Sequence, residues 1–167
     1  SFIGEKAFFG CFSLIEIDIP SSVVLINESA FEGCKSLKKV SLSSSLRKIS
    51  KLCFKNCVSL TEIIIPSSVT KIGKSAFFGC SSLSKVTIPS TVSKVCSWAF
   101  YGCKLACDLL SSCRATIEEG AFFWCSSEMH IFTLAFANQT VKETNKVLLS
   151  NASNDQKIKE TEDECKV

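Results

Sequence analysis

"SLTEIIIPSSVTKIGKSAFFGC", residues 59 to 80, decides the fold. Within it Leu60, Ile63 and Ile65 fall on one side of an extended chain, while Glu62 and Ile64 fall on the other, as strand alternation demands. Pro66 closes that strand, because a residue without an N–H cannot continue a ladder. A second extended piece, "SVTKIG", turns the chain back, and an Ala-Phe-x-Gly-Cys corner returns it to the start of another such unit.

Outward from this stretch the same landmarks recur. Ala-Phe stands at Ala7-Phe8, Ala30-Phe31, Ala76-Phe77, Ala99-Phe100 and Ala121-Phe122, with Cys53-Phe54 filling the gap, at a step of 23 residues that shortens to 22 at the end. Cysteine keeps the same phase at Cys11, Cys34, Cys57, Cys80, Cys103 and Cys125. Apolar columns run between them: Leu14, Leu37, Leu60, Leu83; Ile17, Val40, Ile63, Val86; and Ile26, Ile49, Ile72, Val95. Burying the few large apolar residues of one unit does not offset the entropy of ordering its backbone. Stacking is therefore obligatory, each coil lending hydrogen bonds and apolar cover to its neighbours.

The composition of the 167 residues, 46% hydrophobic and 21% charged, is that of a folded chain. No apolar run reaches the roughly 18 residues a membrane span needs. The net charge of +3 divides into +5 over residues 1–125 (14 basic, 9 acidic) and −2 over 126–167 (5 basic, 7 acidic), too mild to imply nucleic acid as a partner. The chain opens with Ser1 inside a repeat and its only Met is Met129, so it reads as a fragment of a longer product.

The units resemble the BspA-like leucine-rich repeats of bacterial and protist proteins, whose Leu, Ile-Pro, Ser-Val, Ile-Gly, Ala-Phe and Cys signature is the quoted stretch. The resemblance is strong over residues 2–100 and weakens over 101–125, where "LACDLLSSC" (105–113) lacks the Ile-Pro step. It implies a mainly β, right-handed solenoid with a parallel sheet on its concave face, extended structure opposite and little helix. It also implies a non-enzymatic protein-interaction role, since many members are surface proteins linked to adhesion to host proteins or to other cells, and the expected partner is a protein, such as a host or extracellular matrix protein, or an acidic glycan. The competing reading is an intracellular scaffold segment without a dedicated ligand. The expected organisation is an array over 1–125 with a degenerate last unit (101–125), a cap over 126–140 containing "MHIFTLAF", and a polar tail over 141–167 in which "VKETNKVLL" is the helical candidate.

In a stack every outward position becomes a column with neighbours about 4.8 Å apart. One strand column reads Glu16, Lys39, Glu62, Lys85, alternating in sign, which suits either a self-neutralising stack or a ligand contact. The next reads Asp18, Ser41, Ile64, Thr87, without regularity, and partner specificity is placed on these two columns. On the returning segment Arg47, Lys48, Lys51, Lys71, Lys74 and Lys94 form a basic stripe suited to a sulfated glycan or an acidic protein, or else a set of lysines splayed into water. Phe9, Glu32, Lys55, Phe78, Tyr101 and Phe123 form a further column whose aromatics either anchor a partner or pack under the corners.

Catalysis has little to work with. His130 is the only histidine and lies outside the repeats. The column cysteines read as buried free thiols acting as small hydrophobes, and Cys53 and Cys96 as replacements of one small residue by another. Cys103, Cys107 and Cys113 lack zinc-ribbon spacing and leave a local disulfide as the alternative. No metal or cofactor is expected. The glycines Gly10, Gly33, Gly73, Gly79 and Gly102 follow the repeat and serve corners, and Glu118-Glu119 are expected to face solvent. Asn27, Asn138 and Asn151 begin glycosylation triplets that matter only on a secretory route. Asn27 also stands where Gly occurs in other units, a position that suits a left-handed backbone.

Overall fold

The computed structural model describes residues 1–105 and 115–125. They form a parallel-strand β-solenoid whose coils repeat one path. The expectations for residues 106–114, for the cap and for the tail, with Cys107, Cys113, His130, Asn138 and Asn151, lie outside the described residues.

The first strand of each coil is three residues long: β2 (Glu16–Asp18), β4 (Lys39–Ser41), β6 (Glu62–Ile64) and β8 (Lys85–Thr87). Each exposes its two ends and turns its middle residue inward. The strands pair in parallel as β2–β4 and β6–β8, with Glu16 opposite Lys39 and Glu62 opposite Lys85. The proline ends the strand by opening a tight turn in which its carbonyl accepts the N–H three residues on, at Val23, Val69 and Val92.

The return strands are β1 (Phe2–Ile3), β3 (Leu25–Ile26), β5 (Lys48–Ile49), β7 (Lys71–Ile72), β9 (Lys94–Val95) and β10 (Thr116–Ile117). β5, β7, β9 and β10 form one parallel sheet in that spatial order, and β1 pairs with β3. No helix occurs among the described residues.

The corners carry a third ladder. Phe8 N–H donates to the Ala30 carbonyl, Phe31 to Cys53, Phe54 to Ala76, Phe77 to Ala99 and Phe100 to Ala121, at 2.7 to 2.9 Å. Such direct coil-to-coil bonding needs a backbone that bends left-handed twice per corner. Gly10, Gly33, Asn56, Gly79, Gly102 and Trp124 supply one bend, and Lys6, Ser29, Leu52, Ser75, Trp98 and Gly120 the other. Asn27 is not among them: the left-handed residues of its unit are Ser29, at φ 56°, two positions later, and Gly33. Gly73 is not left-handed either, and its role is close approach to the preceding coil.

The core is a stack of identical layers. Phe8, Phe31, Phe54, Phe77, Phe100 and Phe122 lie ring over ring, with centroids 4.9 to 5.4 Å apart and planes within 10° of parallel. Carbon atoms pack best at about 3.5–4.0 Å, so near-parallel rings at these centroid distances are offset, the arrangement the ring quadrupole favours. Beside them Ile26, Ile49, Ile72 and Val95 and the Leu37, Leu60, Leu83 column are fully buried.

Candidate interaction surface

The thiol column is part of the scaffold. Cys34, Cys57, Cys80 and Cys103 are buried and free, as expected for small core residues. They also do something that the sequence did not announce. Each Sγ donates to the carbonyl of the corner Phe one coil earlier: Cys34 to Phe8 at 3.0 Å, Cys57 to Phe31 at 3.2 Å, Cys80 to Phe54 at 3.1 Å, Cys103 to Phe77 at 3.2 Å and Cys125 to Phe100 at 3.1 Å. Burial pushes the Cys34 thiol up to about 11 and the Cys125 thiol to about 12, and raises Cys53, Cys57, Cys80, Cys96 and Cys103 as well. A thiol nucleophile needs a lowered value, so this column supports packing and not chemistry.

On the strand face, all eight predicted residues, Glu16, Asp18, Lys39, Ser41, Glu62, Ile64, Lys85 and Thr87, are exposed. The register brings Glu16 beside Lys39 and Glu62 beside Lys85, yet no ion pair joins either couple. Their charged groups are left to solvent. Ile64 is 69% exposed opposite Thr87, the largest apolar side chain pointing out of these strands.

The predicted basic stripe divides. Lys51 is held by Glu28 at 2.7 Å and Lys94 by Glu118 at 2.6 Å, while Lys74 Nζ sits 4.8 Å from the Trp98 ring centroid. Arg47, Lys48 and Lys71 have no carboxylate partner among the described residues. Glu118, expected to face solvent, is half-exposed and already partnered. Besides Lys94 it accepts from Ser97 N–H and Ser97 Oγ, both at 2.9 Å, and the Lys94 ammonium first, then the Ser97 amide, holds its carboxyl at about 2.

A carboxyl lowered from an ordinary value of 4.5 to about 2 binds fewer protons folded than unfolded. Its stabilising contribution is therefore complete above about pH 4.5 and is lost as pH falls through about 2. Glu118→Gln is expected to melt below the parent chain at neutral pH, with the gap closing in acid; melting curves across that range check it.

In the aromatic column Phe78 stacks on Tyr101, 4.7 Å between centroids and 3° from parallel, and Lys55 pairs with Glu32 at 3.1 Å. Phe9 stands exposed and the others are half-buried, so the column mostly packs along the corners. Asn27 is half-buried, and its Nδ2 donates to the Ile3 carbonyl at 3.1 Å.

The sequence and the fold are both matched among known proteins. A model of BspA-type leucine-rich repeat regions fits the chain over residues 1–129 and 47–161, in 6 copies. The chain belongs to the BspA-type leucine-rich repeat family. The match runs past Cys125, where the sequence columns stop.

Solved structures agree with a BspA-type fold. A leucine-rich cell surface protein of Faecalibacterium prausnitzii is 30% identical over 77% of this chain and 31% of its own, with a TM-score of 0.60. A leucine-rich repeat protein of Eubacterium ventriosum is 26% identical over 71% of this chain and 32% of its own, at 0.63. The leucine-rich repeat protein of T. pallidum is 28% identical over 71% of this chain and 62% of its own, at 0.51. The chain thus spans about a third of the length of the first two proteins. No curated protein sequence matches it.

Proposed function

We propose that this BspA-type array is a non-enzymatic, adhesin-like module of the cell surface or a secreted protein, which binds an extracellular protein through its first-strand face. The observation that carries the reading is that face itself. Eight side chains from two parallel strand pairs stand exposed, their charged groups without ion pairs among the described residues and one large apolar residue, Ile64, among them. A solenoid keeps such a surface preorganised, so binding costs little ordering entropy. The F. prausnitzii relative is described as a cell surface protein, which agrees with the location. The raised thiols support a scaffold without a nucleophile.

The test is binding of the full chain to immobilised extracellular matrix proteins. Binding to one of them that Ile64→Lys and a Glu62→Lys, Lys85→Glu exchange each weaken roughly tenfold or more, the scale of an interface anchor, supports the reading. No binding to any, or binding that ignores every substitution on this face, overturns it.

A further inference from the structure

Lys48 and Lys71 are direct register partners on β5 and β7, and paired strands lie about 4.8 Å apart. Two ammonium stems therefore rise side by side, with Arg47 next to them in sequence. Like charges placed opposite each other destabilise a sheet, and elsewhere this fold removes the problem. Lys51 is neutralised by Glu28, Lys55 by Glu32 and Lys94 by Glu118, each partner coming from an adjacent coil. The position that gives Lys94 its Glu118 is filled by Gly73 for Lys48 and by Cys96 for Lys71. Neither supplies an anion at neutral pH: Gly73 has no side chain, and burial raises the Cys96 thiol. No carboxylate among the described residues neutralises the pair.

An exposed aromatic stands at the corner of the next coil. Trp98, at the corner following β9, is 40% exposed. Lys74 holds its ammonium over that indole, and the ring lies against Gly120, where an added Cβ would stand 2.3 Å from Trp98 Cδ1. Trp98 is also left-handed, at φ 57°, a conformation that costs a bulky residue. The fold thus holds a large apolar ring partly in water, under the Lys74 ammonium, at the corner that follows the strand paired with that of Lys71. An acidic protein surface answers the charges alone. A sulfated sugar answers both, with anionic groups for the cations and the C–H face of a ring for the indole.

We propose that the return side of the array binds a sulfated glycan chain, with Arg47, Lys48 and Lys71 taking its sulfates and Trp98, under Lys74, packing a sugar ring. This lies on a different face from the protein-binding surface and takes a different class of partner. The two readings therefore fail separately.

The probes are heparin oligosaccharides, the same chains after desulfation, and polyglutamate of matched charge, each titrated against the full chain at several salt concentrations. Sulfated chains are expected to bind best, and more weakly as salt rises. A Lys48→Ser, Lys71→Ser variant is expected to bind them roughly tenfold or more weakly, as loss of two charge-assisted contacts implies. A Lys39→Ser, Lys85→Ser variant, which removes the same charge from the first-strand face, retains binding. Trp98→Ala, its folding checked by melting, weakens binding of the sulfated sugar and leaves that of polyglutamate unchanged. Absence of heparin binding, equal binding of desulfated chains or polyglutamate, or equal loss in the two lysine variants overturns the proposal. Equal binding of polyglutamate would reassign the face to an acidic protein.

Discussion

Phe54→Ala is expected to remove about 3–5 kcal/mol of stability, the usual cost of emptying a buried phenylalanine site. That is a large share of the roughly 5–15 kcal/mol that holds a domain together. Phe54 is fully buried and has a ring on each side, Phe31 at 5.3 Å and Phe77 at 5.4 Å. Its neighbours cannot close the gap, because the corner bonds from Phe31 N–H to Cys53 and from Phe54 N–H to Ala76 fix the coil spacing. Since each coil touches only the next, a void in the middle also uncouples the two halves of the array. Chemical denaturation is therefore expected to show both a lower midpoint and a broader transition. Phe8→Ala, at the first layer and already half-exposed, is the comparison and should cost well under half as much. Equal losses for the two variants would show that the ring ladder does not couple the coils.

The second large effect is expected at Gly73. An alanine Cβ there would lie 2.7 Å from Lys51 N and 2.8 Å from both Ile49 O and Ser50 C. All three are main-chain atoms, so no side chain can swing away, and the coils must part. Parting strains the bond from Gly73 N–H to the Ile49 carbonyl, now 2.9 Å. Overpacking of this kind costs about 1–3 kcal/mol, and Gly73→Val should cost more than Gly73→Ala. The corresponding positions hold Gly4, Asn27, Ser50, Cys96 and Glu118. There the side chains find room or a partner, as when Asn27 Nδ2 and Ser50 Oγ reach carbonyls of the preceding coil. The restriction thus belongs to the local approach of the 49–51 and 71–73 segments and not to the column as such. Melting temperatures of the two variants, beside a Cys96→Ala control that relieves rather than adds volume, separate these cases.

Most of the scaffold was legible without coordinates. Alternation in "SLTEIIIP" told which side chains turn inward, and Leu60, Ile63 and Ile65 are buried while Glu62 and Ile64 are exposed. The recurrence of Ala-Phe and Cys showed that these residues must stack, which they do. The surface was less legible. Glu16, Lys39, Glu62 and Lys85 alternate in sign yet form no ion pairs among the described residues, whereas Glu118, expected in solvent, binds Lys94 and Ser97. Signs along a column were visible in the sequence, but the directions of long side chains were not.

The sequence by itself determined the coil, its length, its inward residues and the need to stack, because these follow from a local two-residue alternation and from a repeat that any reader can align. Only the tertiary structure decided how the coils are joined. The thiol-to-carbonyl bonds, the two left-handed residues of every corner and the close approach at Gly73 depend on which atoms of successive coils come within about 3 Å of each other. The same holds for the cations. Among the described residues Lys51, Lys74 and Lys94 find partners while Lys48 and Lys71 find no carboxylate, because the residue one coil away is a carboxylate or an indole in one place and Gly73 or Cys96 in another.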